Sequence, residues 1–129
     1  MTLAKGASTT ILSNKTAAAA GSTTLSECAT IDTDATSNLA ITVKLTYGSS
    51  GTLVPTVKVF ASEDDSNWDT DAFEQFDMPT LLASNTKKAT FALAHSPRYL
   101  KVQVTNNESA GADKDITAVY VYSHKQDVS

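Results

Sequence analysis

From residue 39 the chain reads LAITVKLTY, placing Leu39, Ile41, Val43, Leu45 and Tyr47 at alternate positions with Thr42, Lys44 and Thr46 between them. Side chains on an extended strand point to opposite faces in turn, so this pattern predicts a strand with one face in a core and the other toward water. The same alternation returns after Pro55 in TVKVFAS, where Val57, Val59 and Ala61 point inward. It returns again in YLKVQVT from residue 99, with Leu100, Val102 and Val104 on one edge. Phe91 and Leu93 share a face in a shorter strand near residues 90–93, and ITAVYVY from residue 116 is apolar on both faces. That last pattern fits a central strand or one covered by a neighbouring subunit.

Turn-forming clusters separate these strands: DTDATSN, GSSG, EDDSN and NNESAGADKD. With no 3.6-residue period anywhere, the expected fold is all-β, a single antiparallel β-sandwich. Both immunoglobulin-like and jelly-roll orders satisfy the pattern. The strands at 39–47 and 56–62 are expected to form an antiparallel hairpin across the GSSG turn, and residues 24–31 an outer strand.

The length, 129 residues, suits one domain that removes roughly two-thirds of its unfolded surface from water. The expected division is an N-terminal arm or edge strand over residues 1–24 and a sandwich over 25–129. The first segment is dominated by Ala, Ser, Thr and Gly, with Ile11 and Leu12 as its sizeable apolar pair. As an arm it buries too little to offset its ordering entropy, and becomes ordered only by contact with a neighbour. The other reading is an edge strand over residues 9–13, packed on its own domain.

A net charge of −4 with a single arginine, Arg98, argues against gripping nucleic acid, whose phosphates call for clustered Lys and Arg. The one cysteine, Cys28, has no intrachain disulfide partner and is read as a small buried hydrophobe. Lys5, Lys15 and the Ser and Thr between them interrupt any apolar signal segment, and no stretch reaches the ~20 apolar residues of a membrane span. The expectation is a chain made in a cytoplasm, with no membrane partner. Asn14 and Asn107 open glycosylation sequons, which carry no clear meaning without a secretory signal.

The densest chemical feature is residues 63–77, with seven carboxylates and no Lys or Arg. Asp65, Asn67, Asp69 and Asp71 fall at alternate positions, as in a calcium loop. However, that loop's glycine would fall on Thr70 and its bidentate glutamate on Phe76, and no helices flank it. The stretch is therefore read as a solvated turn, and no metal or cofactor is assigned. Trp68, the sole tryptophan, suits either a sugar-stacking platform or an interface anchor. His95 and His124 lie in no zinc or metalloprotease pattern, and there is no nucleophile elbow, phosphate loop or dinucleotide fingerprint. No catalytic residue is assigned, and the chain is not expected to be an enzyme.

Two stretches carry a resemblance. Ser62, Asp64, Asp65, Trp68 and Asp69 match a strand-ending S-x-D-(G/D)-x-x-(W/F)-D turn, with Asp65 where glycine is common. Pro97, Arg98, Tyr99, Leu100, Lys101, Val102, Val104 and Asn106 match a later P-R-Y-(L/I/V)-K-V-x-V-x-N strand. Over roughly residues 28–124 the chain resembles small virion structural proteins of tailed bacteriophages. The resemblance implies a non-enzymatic capsid decoration or cement protein, or else a neck or tail accessory protein. Its partners would be the major capsid protein or other virion subunits, in many copies or as a homo-oligomer. A carbohydrate-binding host-recognition module is the alternative of a different class. The interface candidates are Ile11, Leu12, Trp68, Phe73, Phe76 and Arg98, with core closure an equal reading for Phe73 and Phe76.

Overall fold

The computed structural model describes residues 3–5, 8–79 and 83–128. Its strands are β1 (Leu3–Lys5), β2 (Thr9–Ala17), β3 (Ile31–Asp32), β4 (Thr36–Thr46), β5 (Thr56–Ser62), β6 (Glu74–Asp77), β7 (Thr86–Ala92), β8 (Tyr99–Thr105) and β9 (Ile116–Val128). One sheet, called A, runs β1-β9-β4-β7, with β2 also paired to β9; the other, B, runs β3-β8-β5-β6. Every pairing is antiparallel. The chain is an all-β sandwich.

The pairings also identify the topology. β2 pairs with β9, β3 with β8, β4 with β7 and β5 with β6. From β2 to β9 the chain is thus one long hairpin of four strands out and four back, wrapped so that successive strands fall in opposite sheets except at its tip, where β5 and β6 pair within sheet B. That is a jelly roll rather than an immunoglobulin order. It also corrects the expected hairpin of residues 39–47 with 56–62. β4 lies in sheet A and β5 in sheet B, and the connection between them crosses the sandwich.

The alternating residues fill the space between the sheets. Ile41, Val43 and Leu45 of β4, Val57 and Val59 of β5, Leu100, Val102 and Val104 of β8, and Val119 and Val121 of β9 are all fully buried in one cluster. A strand covered on one face only needs this two-residue period, which is why the pattern could be read.

Residues 9–17 join that core through Ile11, Leu12 and Ala17. Ile11 is 5% exposed and Leu12 1%, and β2 pairs along β9 from Ser123 to Ile116. The segment is an edge strand longer than residues 9–13, and its apolar pair is buried within its own domain. Residues 1, 2, 6 and 7 of the expected arm lie outside the described residues. The expected outer strand at 24–31 is instead a 3-10 turn at Leu25–Glu27 followed by the two-residue β3.

At one end of the sandwich a buried amide ties the connections together. Asn106 is 2% exposed; its Nδ2 donates to the carbonyls of Ala17 (3.0 Å) and Lys114 (2.9 Å), and its Oδ1 accepts from Glu108 N–H (3.0 Å). Glu108 in turn accepts from the backbone N–H groups of Thr52 and Leu53, which hold its carboxyl below the usual carboxylate range. No helix among the described residues is long and apolar enough to cross a membrane.

Candidate functional site

β5 ends at Ser62, and the loop that follows is organised by two side chains. Ser62 Oγ donates to the carbonyl of Asn67 (2.7 Å) and accepts from Asp65 N–H (3.0 Å). Asp64 Oδ1 accepts from the N–H groups of Asn67 (2.8 Å) and Ser66 (3.0 Å), and Oδ2 accepts from the Asn67 amide (2.8 Å). Such donors favour the ionised carboxylate and hold Asp64 far below its ordinary pKa, Asn67 N–H first among them. This explains the Ser-x-Asp of the turn: both residues replace the backbone partners that the chain loses on leaving the sheet.

Asp65 sits at φ 61°, the left-handed region where an L side chain is strained and glycine is not. It is retained here with a compensating contact, since Thr30 Oγ1 donates to Asp65 Oδ1 at 2.6 Å. The loop is thereby fastened toward β3. Its return leg runs along β5, where Asp69 N–H donates to the carbonyl of Ala61 (3.0 Å) and Phe73 N–H to that of Val59 (2.7 Å). The Trp68 ring lies 5.1 Å from Lys101 Nζ, on the face of sheet B that points away from the core. Phe60, the cross-strand partner of Lys101 on that face, is 8% exposed.

The second stretch of the resemblance comes to the same end. Thr33 N–H donates to the carbonyl of Arg98 at 2.9 Å, anchoring the chain where β8 begins. The guanidinium meets Asp32 (Nε to Oδ1, 2.9 Å) and Asp34 (Nη2 to Oδ2, 3.9 Å), and lies 5.0 Å from the centroid of the Tyr99 ring. Its hydrogen bonds hold the Asp32 carboxyl below the usual range. Between the two stretches is an open groove of about 450 Å³ whose lining includes Ser62, Glu63, Asp69, Phe73, Pro97 and Arg98.

The six interface candidates therefore divide. Phe73 is 41% exposed and lines the groove with Arg98. Trp68 is half-buried over Lys101. Phe76 is not an exposed anchor: its ring stacks on Phe91 with centroids 4.7 Å apart and planes 20° apart, joining β6 to β7 against the core. Ile11 and Leu12 are also withdrawn from the surface, for the reason given above. Cys28 is 3% exposed, and burial pushes its thiol up to about 11.

Among the described residues no three His, Cys, Asp or Glu side chains are placed to hold a metal ion. His124 Nε2 contacts Thr42 Oγ1 at 2.9 Å on the outer face of sheet A, while His95 directly precedes Ser96, which lines the groove. Chemically, the groove offers a ring, free carboxylates and a guanidinium already shared between two carboxylates. These groups suit the binding of a surface.

Sequence reasoning marked residues 116–122 as apolar on both faces but named no candidate residue on the outer face of sheet A. There Tyr120 and Tyr122 lie parallel, with centroids 6.2 Å apart, and Lys44 Nζ is 5.7 Å from the Tyr120 ring. The signal was the apolar character of β9 on both faces.

Comparison with known proteins adds little. No family model matches the chain, and no curated protein does. Among solved structures, one from work on Bacillus endospore appendages, described as disulfide-linked pili, aligns over 99% of this chain and 90% of that one. Its sequence identity is 16% and its TM-score 0.44, a likeness too distant to carry an argument.

Proposed function

We propose that this chain is a non-enzymatic structural protein of a tailed-phage particle, a capsid decoration protein that binds neighbouring shell subunits through its loop-rich end. The observation that carries the reading is the convergence of the two resembling stretches, far apart in sequence, on one groove with Phe73 exposed in it. An exposed aromatic beside charged groups, on a loop fixed by Ser62 and Asp64, is the kind of pre-organised anchor that interfaces use. Fold alone does not separate the readings, since jelly rolls occur in capsid, lectin and cupin domains alike. A neck or tail position uses the same end on a different partner.

The test is reconstitution. Purified chain is added to particles that lack it, and bound protein is measured by co-sedimentation. Phe73→Asp should reduce binding by about tenfold or more while leaving the fold unchanged. Binding unaffected by Phe73→Asp, or absent in the wild type, counts against the reading. Binding to purified glycans that is lost on Trp68→Ala would favour the carbohydrate alternative.

A further inference from the structure

Lys44 and Lys88 are directly opposite each other on adjacent strands, and both point away from the core. Like charges at facing positions of a sheet repel, so a bare surface gains nothing from this pair. The surrounding face offers the pair no counter-charge, only the Tyr120 ring 5.7 Å from Lys44 Nζ. Residues 38–46, 86–92 and 117–126, which build it, contain no carboxylate at all, in a chain with net charge −4. Beside the lysines stand the parallel rings of Tyr120 and Tyr122. Next to these, Thr42, Lys88, Tyr122 and His124 are among the residues lining a shallow groove of about 430 Å³. Ser8, just before β2, also lines it.

The complementary surface is on the same molecule. Glu63, Asp69 and Asp71 are exposed, and none makes a side-chain hydrogen bond or ion pair among the described residues, unlike Asp64 and Asp65. Phe73 stands exposed just beyond them. One surface therefore offers a ring with unpaired carboxylates, and the other offers a pair of rings with two ammonium groups that have no carboxylate partner among the described residues, Lys44 lying over the Tyr120 ring. We infer that the outer face of sheet A receives the acidic 63–73 loop of a second copy of this chain, in a head-to-tail contact. This deepens the proposed assembly role by naming one partner of the loop-rich end, and it rests on that end making contacts. Because donor and acceptor are different surfaces, the contact repeats from copy to copy, as suits a protein present many times in an array.

The test is sedimentation velocity on the full chain. The wild type should associate with increasing concentration toward about 1 mM at low ionic strength, and dissociate at about 0.5 M salt, where the screening length falls to a few ångströms. Lys44→Glu with Lys88→Glu should weaken association by about tenfold or more, as should Asp69→Lys with Asp71→Lys. Mixing these two double variants should restore it, because each then offers the charge the other lacks. All four positions are on the surface, and unchanged circular dichroism checks the folds. A wild type that stays monomeric at every concentration and salt overturns the inference, as does association indifferent to both reversals. The two proposals fail separately: a chain that associates in solution but does not bind particles loses only the particle role, and a monomer that binds particles loses only this contact.

Discussion

Asp64 receives both the backbone N–H and the side-chain amide of Asn67, each at 2.8 Å. A carboxylate three residues before its partner thus closes the loop that presents Phe73. Its pKa is depressed in the folded state, so its contribution is complete above the unfolded carboxylate range and fades as pH falls below it. Asp64→Ala should lower the melting temperature at pH 7 by more than Glu63→Ala, whose side chain has no such partners. The gap between wild type and Asp64→Ala should narrow as pH falls from about 5 toward 2.5. Thermal melts across that range check both statements; a gap that widens in acid would contradict them.

Phe73 and Phe76 have the same chemistry in the sequence and opposite places in the fold. Phe76→Ala removes the stack on Phe91 and opens the β6–β7 side of the core, and should cost about 2–4 kcal/mol. Phe73→Ala trims an exposed ring and should change stability by less than about 1 kcal/mol. Urea denaturation of the two variants measures the contrast directly.

Asn106 predicts a polar-network cost. Replacing it with Leu leaves the carbonyls of Ala17 and Lys114 without their donor, at about 1–3 kcal/mol for each buried group. The loss should appear as a lower denaturation midpoint, and hydrogen exchange should quicken in β2 and in residues 107–115, which this side chain joins.

Cys28 should be chemically silent in the native state. With its pKa pushed up to about 11, the ionised fraction at pH 8 is about a hundredfold below that of an ordinary thiol, before access is considered. Reaction with a thiol reagent should therefore be slow in the native protein and fast in denaturant. Because the folded pKa is raised, the native state also loses stability as pH rises from the unfolded value through about 11. Cys28→Ala should remove that alkaline loss, and melts at pH 8 and 10.5 check it, since a variant as alkali-sensitive as wild type would contradict it.

Gly48 is required by a close approach. A Cβ there would stand 2.4 Å from the carbonyl oxygen of Asp113 and 2.8 Å from that of Asp115. Gly48→Ala must push the 113–115 backbone away, and should destabilise by about 1–3 kcal/mol, measured by the same denaturation.

The individual strands could be read because β4, β5 and β8 each send alternate apolar side chains into the core, which imposes the two-residue period even where Thr42 and Phe60 are also buried on the outer faces. Their assignment to sheets could not. Residues 39–47 and 56–62 are consecutive strands of similar pattern, and nothing local distinguishes a hairpin from a crossing between layers. β2 was obscured by its bulges: Ile11 and Leu12 are adjacent yet both buried, with a register shift between Thr10 and Leu12 and Asn14 at φ 49°. At the site, the Ser-x-Asp turn was visible as a motif, but Asp65 at φ 61° explains only in the structure why glycine suits that position. Which phenylalanine stays exposed depended on Phe91, fifteen residues beyond Phe76 and in the other sheet.

The most direct test of the assembly role is cryo-electron microscopy of a native particle carrying this chain. The account predicts density for the jelly roll on the outside of the shell, with the 62–73 loop and the 96–98 turn against neighbouring subunits. Density at the neck or tail would contradict the decoration role while keeping a structural one, and a particle without the chain would contradict the central claim.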